Sequence, residues 1–127
     1  MEFVGDEKER FKKEFARRIH EFILKLIKFI DSLDKRDSTC RIIGQNQLLR
    51  SGTSIGGNYF EAQSASSKND FANFFRISLK SANETKFWLI LLRDANKCER
   101  SGANNLLNEL TEIANILAKS IKTMNQK

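Results

Sequence analysis

The sequence predicts an all-α protein: an antiparallel up-and-down four-helix bundle in a single domain spanning residues 1–127. Three observations predict it. Proline is absent from the 127 residues. Apolar residues recur at steps of three and four with almost no strict alternation, which is the helical period and not the strand period. The polar interruptions between these runs are short, so consecutive helices must fold back on one another as antiparallel neighbours. A chain of this length buries roughly two-thirds of its unfolded surface, enough for one core without disulfides.

Helix 1 is expected over about residues 6–33. Phe11, Phe15, Phe22, Leu26, Phe29 and Leu33 form one stripe, and Ile19, Ile23, Ile27 and Ile30 form a second beside it. Two stripes imply contact with more than one neighbour. The run "DKRDST" breaks the pattern and offers Ser38 or Thr39 as an N-cap for helix 2, expected over about 40–65. In "SASSKND", Ser67 with Asp70 three residues on signals the start of helix 3, over about 68–95. That helix carries two seams. Phe74, Ile77, Ser81, Glu84, Trp88 and Leu91 keep a strict heptad step, and Phe71, Phe75, Ser78, Ala82, Thr85, Leu89 and Leu92 run alongside. After "ANKCERSG", Leu106, Leu110, Ile113, Leu117, Ile121 and Met124 form the narrower stripe of helix 4, over about 103–124.

The glycine-rich stretch "RSGTSIGGNYFEAQ", residues 50–63, tests this reading. Gly52 and Gly57 have the spacing of a phosphate-binding loop, but Asn58 stands where the lysine belongs and no strand precedes. Nor is there the G-x-G turn of a dinucleotide fingerprint. A plain loop of this length inside a compact bundle is also disfavoured. As a helix, the stretch places Arg50, Ser54, Asn58 and Glu61 on one face, while Gly52 and Gly56 permit close backbone approach. With helices 2 and 3 antiparallel about a turn near residue 66, opposed residues have numbers that sum to about 133. Arg50 then meets Glu84, and Ser51 or Ser54 falls near Ser78 to Ala82. The expectation is an inward-facing polar stripe, Arg50, Ser54, Asn58, Glu61, Ser81 and Glu84, with an Arg50–Glu84 ion pair that fixes register.

Catalysis finds no support in the residues. His20 is the single histidine and sits among charges, and no Cys/His/carboxylate cluster has metal-ligand spacing. Serines lack a base partner. No cofactor, metal or catalytic residue is therefore expected. Cys40 and Cys98 stand far apart in a chain without an apolar leader, which points to a reduced, cytoplasmic protein. The longest apolar run, "FWLILL", is far too short for a bilayer.

The net charge of +6 and pI of about 9.5 suit an acidic partner, RNA or DNA. Candidate phosphate contacts are Arg10, Lys13 and Arg17 on helix 1, Arg76 and Lys80 on helix 3, and Lys86, Arg93, Lys97 and Arg100 toward its end. Most phenylalanines occupy core spacing and tyrosine is single, so no stacking platform for single strands is expected. Binding would be backbone-driven and weakly sequence-specific. The alternative is an interaction scaffold that docks another protein.

The stretch 50–63 together with "DFANFFRISLKSANETKFWL" resembles the four-helix-bundle family of 23S rRNA intervening-sequence proteins. The matching positions are Arg50, Ser51, Ser54, Ile55, Asn58, Glu61, Phe71, Ser81 and Glu84. Tyr59, Phe60 and Gln63 depart from the smaller residues usual there. The resemblance implies a bundle that assembles as a ring-like homopentamer. It also implies kinship with the accessory variability determinant of diversity-generating retroelements, which binds nucleic acid and a reverse transcriptase through a basic surface. Self-association has separate support in the doubled stripes of helices 1 and 3, which exceed what a lone bundle needs.

Overall fold

The computed structural model describes the backbone of residues 2–125 and the side chains of residues 6–125. The described residues form four helices and no strand. Helix α1 is Glu2–Asp31. Helix α2 is composite: an α turn Ser38–Cys40, a π-helical stretch Arg41–Leu48, and an α-helix Leu49–Ala62. Helices α3 (Lys68–Asp94) and α4 (Arg100–Met124) complete the chain. Each packs on its sequence neighbours, and α4 returns to α1, closing an up-and-down four-helix bundle. No helix is long and apolar enough to cross a membrane among the described residues.

The helix ends follow local chemistry. The Asp37 carboxylate, and neither Ser38 nor Thr39, caps α2 by accepting from the Cys40 amide at 3.0 Å. The Ser67 hydroxyl accepts from the Asp70 amide at 3.1 Å and caps α3 as the sequence predicts. Helix α3 ends on Asn96 in the left-handed region, φ 58°. Lys97 N–H then bonds the Leu92 carbonyl and Asn96 N–H the Arg93 carbonyl, closing the last turn. Against the expected bounds, α1 ends two residues earlier than residue 33, α2 runs 38–62 instead of 40–65, and α4 begins at Arg100, since no residue before Gly102 in "ERSG" opposes helix.

The π stretch has no counterpart in the sequence reading. The Leu49 N–H reaches back five residues to the Gly44 carbonyl. The wider turn brings Cys40, Ile43, Gly44 and Leu48 onto the core side. Gly44 lies hard against the end of α1 and the residues just after it, where an added Cβ would stand 2.6 Å from Leu33 Cδ1 and 3.7 Å from Ile30 Cγ2.

The core is the predicted one along α1, where Phe15, Ile19, Phe22, Leu26, Phe29 and Ile30 are buried together with Leu33 just past its end, but Phe11 is 52% exposed. On α3 the two seams separate. The second seam, with Phe75, Ser78, Ala82, Thr85, Leu89 and Leu92, faces the bundle axis. The strict heptad seam is pushed to the α2 side and leaves Ile77 38% and Leu91 40% exposed. Four helices cannot cover both seams of one member.

Candidate nucleic-acid interface

The glycine-rich stretch is helical, and its small residues let α1 and α3 close on it. A Cβ on Gly52 would overlap Leu26 Cδ2, and one on Gly56 would stand 2.8 Å from Ile23 Cδ1. Toward α3, three hydroxyl contacts run down the seam. Thr85 Oγ1 bonds Ser51 Oγ at 2.8 Å, Ser81 Oγ bonds Ser54 Oγ at 2.9 Å, and Ser78 Oγ donates to the Ile55 carbonyl at 2.8 Å. Arg50 pairs with Glu84 on the same register. The Arg50 hydrogen bond, helped by the Trp88 indole N–H at 3.1 Å, holds the Glu84 carboxyl below the usual carboxylate range.

The expected polar stripe is rotated outward from where the sequence puts it. Arg50 and Glu61 are exposed, Ser54, Asn58 and Glu84 are half-buried, and Ser81 alone of the six is buried. Asn58 Nδ2 donates to the Ser54 carbonyl and hydroxyl and so serves its own helix. The innermost polar side chains are Ser51, Ser78 and Thr85, all fully buried. The reason is burial: the face of Leu48, Gly52, Ile55, Tyr59 and Ala62 takes the axis, and charges stay at the α2–α3 boundary where water reaches them. Hydroxyls between close helices need no aqueous partner, and their sequence signal was the small-residue face shared by Ser51 and Gly52.

The basic candidates divide into three groups. Arg10, Lys13 and Arg17 are exposed along α1, and none makes an ion pair with a described residue. Lys80 and Arg100 are likewise exposed, Lys86 is half-buried, and Arg76 leans on Asn125 at 3.3 Å. Arg93 and Lys97 are consumed by the fold. Arg93 binds Asp94 at 3.0 Å and Asn104 at 2.9 Å, tying α3 to α4. Lys97 Nζ donates to Asp37 at 2.7 Å, pinning two connections together and holding the Asp37 carboxyl low. The stripe Lys86, Arg93, Lys97 and Arg100 is thus no continuous free surface. On the other flank of α1, Arg18 is held by Glu109 and Glu112 of α4, which raise its pKa.

A second cationic cluster escaped the sequence reading because its members come from distant segments. Lys8, Lys12, Lys68 and Arg76 line a groove of about 900 Å³ where the start of α1, the α2–α3 turn and the end of α4 meet. Adjoining it, Phe11, Phe15, Tyr59, Phe71, Phe75 and Met124 wall a cavity of about 430 Å³. Phe15, Tyr59 and Phe75 of this wall are buried, as their core spacing predicts, and Phe11 is the half-exposed ring at its edge. Tyr59 is buried, and Phe60, 73% exposed, points outward beside Gly57 and His20. No group of three metal-ligating side chains gathers among the described residues.

No curated protein matches the chain. Among solved structures it is similar to a protein of unknown function from the S23 ribosomal protein family of Bacteroides thetaiotaomicron VPI-5482. The two share 34% identity and a TM-score of 0.77 over 87% of this chain and 97% of that one. The family model described as 23S rRNA-intervening sequence protein matches residues 12–119. That span takes in most of α1 and α4, all of α2 and α3, and the whole hydroxyl seam. The chain belongs to the 23S rRNA-intervening sequence protein family.

Proposed function

We propose that this protein is a non-enzymatic, self-assembling nucleic-acid-binding protein of the cytoplasm that holds phosphate backbones on the cationic side of α1. One observation carries the reading: Arg10, Lys13 and Arg17 stand exposed on successive turns without an ion pair to a described residue. Seven residues of helix cover roughly 10 Å, so the three charges meet adjacent phosphates of one strand. A family named for 23S rRNA intervening sequences supports an RNA setting. Self-assembly, as a ring-like homopentamer, is supported by the uncovered heptad seam of α3, where Ile77 and Leu91 are exposed and Phe74 and Trp88 half-buried. A ring multiplies each α1 face, so weak contacts add through avidity.

The test is binding of labelled RNA and DNA across a salt series, with solution mass measured in parallel. Replacing Arg10, Lys13 and Arg17 together with Gln lowers the log–log salt slope by about two. Absence of binding at low salt overturns the nucleic-acid reading, and a monomer at micromolar concentration overturns self-assembly. The same uncovered seam favours the second reading, a scaffold docking a protein such as a reverse transcriptase. Nucleic-acid binding that persists in the triple variant while Ile77→Glu abolishes capture of that partner would select it.

A further inference from the structure

The end of the bundle joins two surfaces that belong together chemically. The aromatic cavity and the cationic groove share Lys8, Lys12, Gln63, Phe71 and Met124 in their linings, so they form one continuous site. We propose that this site is a socket for one unpaired nucleotide of a single strand, its base entering between the aromatic rings and its flanking phosphates lying on Lys8, Lys12, Lys68 and Arg76. The inference rests on the nucleic-acid reading above and adds a second contact to it, because Lys8 and Lys12 lie on the far side of α1 from Arg10, Lys13 and Arg17.

Three features argue for a base. The first is ring geometry. Phe11 stacks on Phe15 with centroids 6.0 Å apart and planes 16° from parallel. Half of Phe11 remains open to solvent at the edge of the cavity. Phe71 and Phe75 stand opposite, 4.8 Å apart. Planar rings stack on such faces whatever the base, because every base has a π face.

The second is Tyr59. It is wedged between Phe15, edge-on at 5.1 Å, and Phe75 at 5.5 Å, and is only 5% exposed. Its hydroxyl makes no hydrogen bond with a described residue, yet it is not sealed among apolar atoms. An accessible hydroxyl of this kind can pair with water or with a ligand. Within the cavity wall it is a donor and acceptor waiting for a polar edge. Gln63, whose Nε2 is spent on the Tyr59 carbonyl, leaves its side-chain oxygen as a second acceptor. Two such groups read a base edge loosely, which agrees with weak specificity.

The third is charge. Four cations from two helices border the groove, and the acids near them are Glu7 at the cavity mouth, Glu9, which lies 4.0 Å from Lys12, and Asp70, whose carboxylate accepts from Ser66 of the lining. A neutral lipid or a neutral aromatic would use the cavity and leave the groove idle, and an anionic lipid, which would use both, is separated by the displacement test below. A duplex would use the groove and leave the rings idle, since its bases are stacked inside. An unpaired nucleotide uses both.

The experiment measures anisotropy of a labelled single-stranded RNA decamer and of a blunt-ended duplex, with the full chain. Phe11→Ala is the informative variant because the side chain is half-exposed and its loss spares the core. It should weaken the single strand about 5- to 100-fold and leave the duplex unchanged, while Phe11→Tyr retains single-strand affinity. Crosslinking of a 4-thiouridine oligonucleotide should map to Phe11, Tyr59 or Phe71. Equal binding of the single strand by wild type and Phe11→Ala overturns the socket while leaving the nucleic-acid reading intact. Binding of neither RNA overturns both. Saturable uptake of a long-chain carboxylate that oligonucleotides do not displace overturns the socket in favour of a lipid-type ligand.

Discussion

Gly52 and Gly57 lie five residues apart on the same helix, yet replacing each with alanine should move stability in opposite directions. Helix propensity alone favours alanine over glycine by about 1 kcal/mol at either position. At Gly57 nothing lies within 4 Å of the new methyl, so that gain should appear undiminished. At Gly52 the methyl would overlap Leu26 Cδ2, and Leu26 is fully buried among α1 core residues. Leu26 must leave its rotamer or α1 must retreat, which costs about 1–3 kcal/mol in a packed core. The two variants should therefore differ by about 1–3 kcal/mol, with Gly57→Ala above wild type. Near 4 °C per kcal/mol for a domain of this size, the midpoints separate by roughly 4–12 °C. Urea and thermal unfolding followed by circular dichroism, at one fixed protein concentration, measure this directly. Equal shifts for the two variants would refute the claim that glycine is present at 52 for helix approach.

Two smaller effects follow from the α2–α3 seam. Ser51→Ala removes a buried hydroxyl pair while Thr85 keeps its bond to the Ser81 carbonyl, so the loss should be about 1 kcal/mol in urea unfolding. Glu84→Gln should cost less than about 1 kcal/mol at neutral pH, because the pair with Arg50 is half-exposed. Its pH dependence has a definite sign. The folded carboxyl is held low, so its contribution is complete above the ordinary carboxylate range and disappears as pH falls through the lowered value. Wild type and Glu84→Gln should converge in acid; a gap that stays constant down to full protonation would show that the charge is not what the pair uses.

Much of the architecture was legible because helical period and turn chemistry are local signals. Ser67 three residues ahead of Asp70 marks its helix start, and the antiparallel register alone sets Arg50 opposite Glu84. The face of α2 was not legible in the same way. Periodicity identifies which residues share a side, but which side turns inward depends on the neighbours' packing, and here Ile55 and Tyr59 outweighed the polar stripe. The same ambiguity hid the order of the α3 seams. The end groove was invisible for another reason: Lys8 becomes a neighbour of Lys68 and Arg76 only after two connections have been made. Pairing cost the sequence reading Arg93 and Lys97, whose partners Asn104 and Asp37 lie on other elements.

The π-helical stretch Arg41–Leu48 bears on how this chain tolerates changes in length. A turn closed over five residues holds one residue more than its α counterpart, so a deletion there can be absorbed by tightening to α. A deletion anywhere in Leu49–Ala62 has no such reserve and would rotate every serine away from its partner on α3. Helix α2 is thus an elastic segment followed by a rigid one. Single-residue deletions should be survivable between the Asp37 cap and Leu48 and ruinous beyond it.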